Sequence, residues 1–228
     1  MASVYNHWCA EPQDIFLDIE NWTTLSKMPS YKLLYFNVRA RGELPRLIFA
    51  QAGEKYEDER VKDWEKLKPT MPLKALPVLV VDGESIPQTM TIVRFLATKF
   101  NLRGKTDIEN ARIDSILDAC VDFLAAMVGH VFEKDEAVKK TKEEKFAKET
   151  VPTTLKYIES VIQANKKDWT VGEKLTVADL AIYDYFYNAT KKNSSFLDGY
   201  PGIQRIRGKV EALPNIASWI KNRPESEF

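Results

Sequence analysis

Residues 32–53 read "KLLYFNVRARGELPRLIFAQAG", an aromatic and apolar stretch that turns into a helical pattern with Tyr35 at the join. Extended by Tyr31, "YKLLYF" has the aromatic and apolar density of a buried strand. Gly42 breaks that pattern, and "ELPRLIFAQAG" then reads as a helix, with Pro45 tolerable in its first turn and Gly53 placed to stop it. The opening unit is therefore strand, loop, helix. Tyr35 has two readings from the residues alone, a strand aromatic that packs or a hydroxyl presented at the strand end.

Moving toward the C-terminus, "YEDERV" predicts a short strand, "KDWEKLKPTMPLKAL" an irregular connection, and "PVLVVDGESIPQ" two strands joined at Asp82-Gly83. "QTMTIVRFLATKF" follows as a helix whose Met90, Val93, Phe95, Leu96 and Phe100 can cover one face of the sheet. The order is βαβ, connection, ββα. After "NLRGKTD" the composition shifts, and 108–223 carries long helical periodicities without a strand. Ile113, Ile116, Leu117, Val121 and Leu124 fall on one stripe, and "FAKETVPTTLKYIESVIQANK" gives a further helix despite Pro152. The Lys/Glu run between them predicts a solvated helical face. Thr176 and Asp179 form a capping box ahead of an apolar run, a signal of fold. These boundaries predict an extension over 1–30, an α/β unit over 31–102, a linker over 103–107 and an all-α unit over 108–228.

The composition narrows the function. Within 228 residues, 33 Lys+Arg balance 33 Asp+Glu, so no net field draws a polyanion, and no basic run is interleaved with stacking aromatics. Nucleic acid is not an expected partner. Two cysteines, Cys9 and Cys120, lie far apart without metal-like spacing, which favours a reducing compartment over a disulfide scaffold. Two histidines, His7 and His130, are too few for a His-rich metal site, and no GxSxG nucleophile motif is present. His130 reads as an ordinary helix residue and Cys120 as a small buried apolar one. The longest apolar run, "LPVLVV", is far below the roughly 20 residues that span a bilayer. The first 30 residues lack signal-peptide organisation, so a cytoplasmic location with no membrane partner is expected. Within them, "DIFLDIENW" predicts a short amphipathic helix packed on the body.

The motifs at the joints of this βαβ-ββα-then-helical order resemble those of the cytosolic glutathione transferases, the sigma class above all. That class includes the glutathione-dependent prostaglandin D synthases and resembles the lens S-crystallins. The resemblance rests on "YKLLYFNVRARGE", on "W..LKPTMP" at 64–72, on "LPVL.VDG", on "QTMTIVRFLATKF" and on the closing "LPNIASWIKNRPESEF", and runs from about Tyr31 to the end. It implies a thioredoxin-like N-terminal domain, with Leu76-Pro77 as a cis-proline turn, followed by an all-helical C-terminal domain.

It also implies roles. Tyr35 is placed to donate its hydroxyl to the sulfur of glutathione, which favours the thiolate over a thiol whose free pKa is about 8.5. Arg41 supports tyrosine and thiolate as the second catalytic residue. Glutathione is expected to meet Tyr35, Phe36, Arg41, Trp64, Lys68, Lys74, Ala75, Leu76, Pro77, Gln88 and Thr89. The backbone of Leu76 pairs with the tripeptide as an added strand, Trp64 and Lys68 meet its glycine end, and Gln88 and Thr89 take the γ-glutamyl carboxylate at a helix start. Asp122 matches an acid that reaches the γ-glutamyl amine across a dimer interface, which implies a homodimer. Phe36, Val38, Ala40, Leu124 and Val128 shape the pocket for a small hydrophobic electrophile. The chain departs from the sigma pattern at Ala40 and Lys74, where glycine is usual, at Ala75, where a long polar residue is frequent, and at Val121, which replaces an interface acid; no metal is expected.

The activity implied is addition of the glutathione thiolate to electrophilic carbon in small apolar compounds or lipid peroxidation products, with peroxide reduction beside it. Two alternatives stay open at this point: isomerisation of prostaglandin H to D, and a non-catalytic crystallin-like role. A thiol-disulfide oxidoreductase is excluded, because "FNVRAR" puts no cysteine in the first strand-to-helix loop.

Overall fold

The computed structural model describes residues 29–226. The helix expected over "DIFLDIENW" lies outside the described residues.

A four-stranded sheet in the order β2-β1-β3-β4 is built from β1 (Tyr31–Tyr35), β2 (Glu57–Arg60), β3 (Val78–Val81) and β4 (Glu84–Pro87). Strand β1 pairs parallel to β2, with Tyr35 opposite Arg60, and antiparallel to β3, with Leu33 opposite Leu79. The two central strands carry the apolar runs "YKLLY" and "VLVV" because both their faces are covered. The edge strands "EDER" and "ESIP" are polar, and Pro87 ends the outer one, which discourages further pairing. Asp82 (φ 51°) and Gly83 (φ 94°) make the two-residue turn that the sequence predicts, and the Asp82 carboxylate accepts the backbone N–H of Ser30 at 2.9 Å.

Helix α1 (Ala40–Ala52) begins three residues earlier than expected and takes in Gly42. The reason is steric. A Cβ at Gly42 would lie 2.4 Å from Cδ1 of Tyr35, so this glycine lets the first turn close on the tyrosine ring. Pro45 consequently sits inside the helix rather than in its first turn, and the Arg41 carbonyl loses the N–H that would ordinarily meet it. Gly53 ends α1 in the left-handed conformation (φ 67°), with its N–H on the Ala50 carbonyl.

Within the irregular connection lie α2 (Trp64–Leu67) and a tight turn over Lys68–Thr70. The Leu76-Pro77 bond is cis, as expected, and leads directly into β3. Helix α3 (Thr89–Lys99) packs on α1 through buried Ile92, Val93, Leu96 and Ala97.

The strands among the described residues end at Pro87, and helices follow. They are α4 (Asp107–Val131), α5 (Glu136–Lys145), α6 (Val151–Asn165), α7 (Val177–Tyr185), α8 (Tyr187–Lys192), α9 (Pro201–Glu211) and α10 (Pro214–Asn222). The Lys/Glu run forms α5, which buries none of its residues, and continues through a π turn over Phe146–Thr150 into α6, where Pro152 falls in the first turn. Asp179 is fully buried at the start of α7 and accepts the N–H of Thr170 (2.8 Å), the N–H of Thr176 (2.8 Å) and the Thr176 hydroxyl (3.0 Å). Glu159 on α6 does the same for α9, accepting from Gly202 and Ile203. Cys120 is free and buried, and burial pushes its thiol up, away from reactivity. No described helix is long and apolar enough to cross a membrane.

One core cluster runs from Leu33, Leu47 and Phe49 through Leu96 and Ile113 to Ile182 and Ile216, so sheet and helical bundle share packing. Polar ties follow the same seam. Arg94 of α3 and Arg103 both bind Asp114 of α4, and Arg94 also reaches Asp118. At the far end, the fully buried Glu43 of α1 accepts the Trp219 indole N–H at 2.8 Å and pairs with Arg223 at 2.7 Å.

Candidate active site

Tyr35 closes the central strand, 5% exposed, with its hydroxyl at the mouth of α1. The backbone N–H of Arg41 donates to that oxygen at 3.2 Å. An oxygen that accepts from the backbone keeps its own O–H for another acceptor. Burial raises the pKa of the Tyr35 hydroxyl above the ordinary 10.0, although the Arg41 N–H and the charges of Arg41 and Arg46 pull the other way. It therefore stands as a protonated donor at neutral pH.

The loop beyond Tyr35 is held by a residue that sequence reasoning passed over. Arg46 is fully buried in α1. Its guanidinium donates to the Val38 carbonyl (2.7 Å), the Phe36 carbonyl (3.3 Å) and the Asp58 carboxylate (3.1 Å). Its signal was an arginine inside the apolar run "LPRLIF", where a buried charge must have partners.

Around this anchor the expected residues divide. Phe36 meets the Tyr35 ring tilted at 59°, with centroids 5.5 Å apart, and the half-buried Trp64 edge-on at 5.6 Å, giving a continuous aromatic wall. Arg41, Gln88, Thr89 and Leu124 line one cavity of about 90 Å³ with Met90, Val121 and Tyr185. Ala40 and Leu124 line an adjoining one of about 30 Å³ with Arg39, Met127, Asp184, Tyr185, Tyr187 and Asn188. Lys68, Lys74 and Ala75 are exposed on the connection leading to Leu76-Pro77. Asp122 is exposed and Val128 half-buried on α4, and neither lines the two cavities.

The backbone is strained at three of these positions. Ala40 (φ 31°), Lys74 (φ 48°) and Gln88 (φ 74°) all adopt positive φ without being glycine. Ala40 and Lys74 are the two positions where the sigma pattern has glycine. Gln88 immediately precedes α3, and it lines the cavity shared with Arg41 together with the buried Thr89 and with Met90 of the first turn.

Tyr185, at the end of α7, borders both cavities, and burial drives its hydroxyl pKa well up, as does nearby Asp184. Asp184 is itself raised, first by loss of solvent and then by Glu43, against the pull of Arg223, Arg39 and Arg46. The stretch "IYDYFYNAT", an acid inside an aromatic run, was the available signal for both.

A thioredoxin-like sheet with a tyrosine hydroxyl at the end of its central strand, a cis-proline turn and a helical partner thus stand together in one chain. Comparison with known proteins gives the family. Residues 31–98 match the family described as "Glutathione S-transferase, N-terminal domain", and 121–223 match "Glutathione S-transferase, C-terminal domain". This chain belongs to the glutathione S-transferases. Similar relatives include "Glutathione S-transferase 1" of Ascaris suum, 40% identical over 207 residues, covering 88% of this chain and 100% of that one. "Hematopoietic prostaglandin D synthase" of Gallus gallus is 39% identical over 201 residues (87% and 99%), and "S-crystallin SL11" of Nototodarus sloanii 35% over 206 residues (88% and 100%). Among solved structures, the monomeric glutathione S-transferase Na-GST-3 of Necator americanus superposes with a TM-score of 0.78 at 35% identity, covering 87% of this chain and 100% of that one.

Proposed function

We propose that Tyr35 activates glutathione as a thiolate, which then attacks an electrophilic carbon of a small apolar compound. The observation that carries this reading is the Tyr35 hydroxyl, fixed by the Arg41 N–H and keeping its proton to donate. A phenolic O–H on sulfur stabilises the thiolate more than the thiol and lowers the pKa at which glutathione ionises. In this reading the thioredoxin-like unit over 31–102 holds the tripeptide. Leu76 pairs with its backbone, Trp64 and Lys68 take its glycine end, and Gln88 and Thr89 take the γ-glutamyl carboxylate. The strained backbone at Gln88 supports the last assignment, because such conformations are retained where the surroundings demand them. The helical unit over 108–228 supplies Leu124 and Val128, which with Phe36, Val38 and Ala40 shape the second pocket. The same thiolate reduces peroxides.

We assign the working unit as a cytoplasmic homodimer, in which Asp122 of one subunit meets the γ-glutamyl amine in the other. Its exposure on α4 leaves it available for that contact. Gel filtration at low concentration tests this, and a monomer with full activity would remove Asp122 from the site.

The central test is conjugation of chlorodinitrobenzene, in which sulfur displaces chloride. Tyr35→Phe should keep glutathione affinity and lose about 10- to 100-fold in rate at neutral pH, the worth of one hydrogen bond to a charged group. Because glutathione ionises unaided above its own pKa, the deficit should shrink as pH rises past about 8.5. A fully active phenylalanine variant would overturn the role of Tyr35.

A second reading, isomerisation of prostaglandin H by thiolate attack on the endoperoxide oxygen and release of glutathione, is favoured by the 39% identity to a prostaglandin D synthase. Offering prostaglandin H to the wild type distinguishes the two. A protein that binds glutathione and turns over neither compound would be crystallin-like.

A further inference from the structure

A cleft of about 600 Å³ opens where α8 meets the segment after α10, lined by Arg39, Tyr187, Lys191 and Arg223 with the tail residues that follow. None of the residues expected to meet glutathione or the second substrate lines it. The cleft is therefore a space apart from the proposed chemistry.

Three cations gather there on one ring. The guanidinium carbons of Arg39 and Arg223 lie 4.6 and 4.7 Å from the Tyr187 ring centroid, and the Lys191 ammonium lies at 5.7 Å. Like charges held this close repel one another unless an anion joins them. Arg223, whose side chain is 7% exposed, has that anion in Glu43 behind the cleft at 2.7 Å. Arg39 is held by the neutral Asn188 side chain, and neither it nor Lys191 has a carboxylate within ion-pair distance among the described residues. Glu225, exposed on the tail, is the acid of the described lining. Burial would raise the Tyr187 hydroxyl, yet Arg223, Lys191 and Arg39 together bring it below the ordinary tyrosine value, so the ring sits in a positive field.

The lining also limits what kind of anion fits. Its aliphatic side chains are Ile220 and Pro224, too little to cover an acyl chain or a fused ring system. The two guanidiniums are planar forks suited to an oxyanion with several acceptor oxygens, and Lys191 adds a point charge at the rim. A phosphate ester brings about −1.5 to −2 charges and three such oxygens, which matches the two cations that lack a carboxylate. A carboxylate, with one charge, would leave one of them unmatched. The volume exceeds that of a phosphate and lies in the range of small-molecule sites, and the Glu225 carboxylate can accept hydrogen bonds from hydroxyl groups.

We propose that this cleft binds a hydrophilic phosphate ester, with its phosphate between Arg39 and Lys191 and its hydroxyl-bearing body against the tail. Arg223 adds charge from behind. No bond is made or broken, and the site does not depend on the transferase reading.

Calorimetry with glucose 6-phosphate, glucose, glucuronate and inorganic phosphate, each in the presence of saturating glutathione, tests the site. Glucose 6-phosphate should bind saturably, and the other three at least tenfold more weakly. Lys191→Glu and Arg39→Gln should each weaken it roughly tenfold, and added sodium chloride should weaken it in the wild type. Conjugation of chlorodinitrobenzene by Lys191→Glu should stay at the wild-type rate. In phosphorus NMR the second ionisation of the ester, near pH 6 in water, should move down on binding, because the cations favour the dianion. Absence of saturable binding at millimolar ligand, binding unchanged in both variants, or displacement by glutathione would overturn the site. Equal binding of glucuronate would overturn the choice of phosphate, and equal binding of inorganic phosphate the choice of an ester.

Discussion

The hydroxyl of Tyr35 depends on two neighbours that have no side-chain chemistry of their own, the N–H of Arg41 and the missing Cβ of Gly42. Two nearby residues stand where the family pattern has glycine, and both retain the backbone that glycine would have chosen, Ala40 at φ 31° and Lys74 at φ 48°. An L residue in the left-handed region costs roughly 1–2 kcal/mol, and glycine returns part of that gain through its greater freedom in the unfolded chain. Ala40→Gly should therefore stabilise the protein by about 1 kcal/mol and raise the melting midpoint by about 2–4 °C. A lower midpoint in a thermal melt would mean that the Ala40 methyl contributes packing that outweighs the strain. The place of Tyr35 at a strand end ahead of a helix was legible in the residues, whereas a role for its hydroxyl came only from the resemblance to the glutathione transferases. The positive φ values were not legible, since alanine and lysine carry no mark of the backbone they adopt.

At the level of elements, the strands and the Asp82-Gly83 hairpin followed from short apolar and aromatic runs bounded by turn chemistry. The Thr176–Asp179 box was legible as a helix start, whereas the same pattern at Thr106 and Glu109, which caps α4, passed unread although the signal was present. The start of α1 was placed late because glycine ordinarily interrupts a helix and here serves the ring beside it. The contact between α3 and α4 gives a prediction with a definite sign. The Arg103 bond holds the Asp114 carboxyl below its ordinary 3.8, helped by Arg94 and opposed by burial. Its stabilisation is therefore present above 3.8 and lost as pH falls through the lower folded value. Asp114→Asn should cost roughly 1 kcal/mol near neutrality, and the difference from wild type should close in strong acid. Urea unfolding at both ends of that range checks it; a deficit independent of pH would assign the effect to packing.

For the whole molecule, the seam between the sheet and the helical bundle is shared core, with the buried Glu43 tying its far end. This carboxylate joins α1 to Trp219 and Arg223, so the chain's last described helix and the segment after it are tied back to its first. Glu43→Ala would leave the Arg223 charge and the indole N–H without their partner, and should cost about 3–5 kcal/mol. Glu43→Gln, which keeps an acceptor for the indole, should cost less. If denaturant unfolding gave a loss under about 1 kcal/mol for the alanine variant, water would be replacing the carboxylate. None of this closure was visible in the sequence, because the partners lie more than a hundred residues apart.

Arg46 has a consequence for how this site would look to mutagenesis. Its one guanidinium braces the carbonyls of Phe36 and Val38, the stretch that leads from Tyr35 to the start of α1. Alanine scanning scored by turnover alone would rank Arg46 beside Tyr35 and report it as part of the chemistry. Scored by glutathione affinity and melting midpoint as well, the two should separate: loss of the Tyr35 hydroxyl slows the reaction in an intact scaffold, whereas loss of the Arg46 brace lowers affinity, rate and stability together.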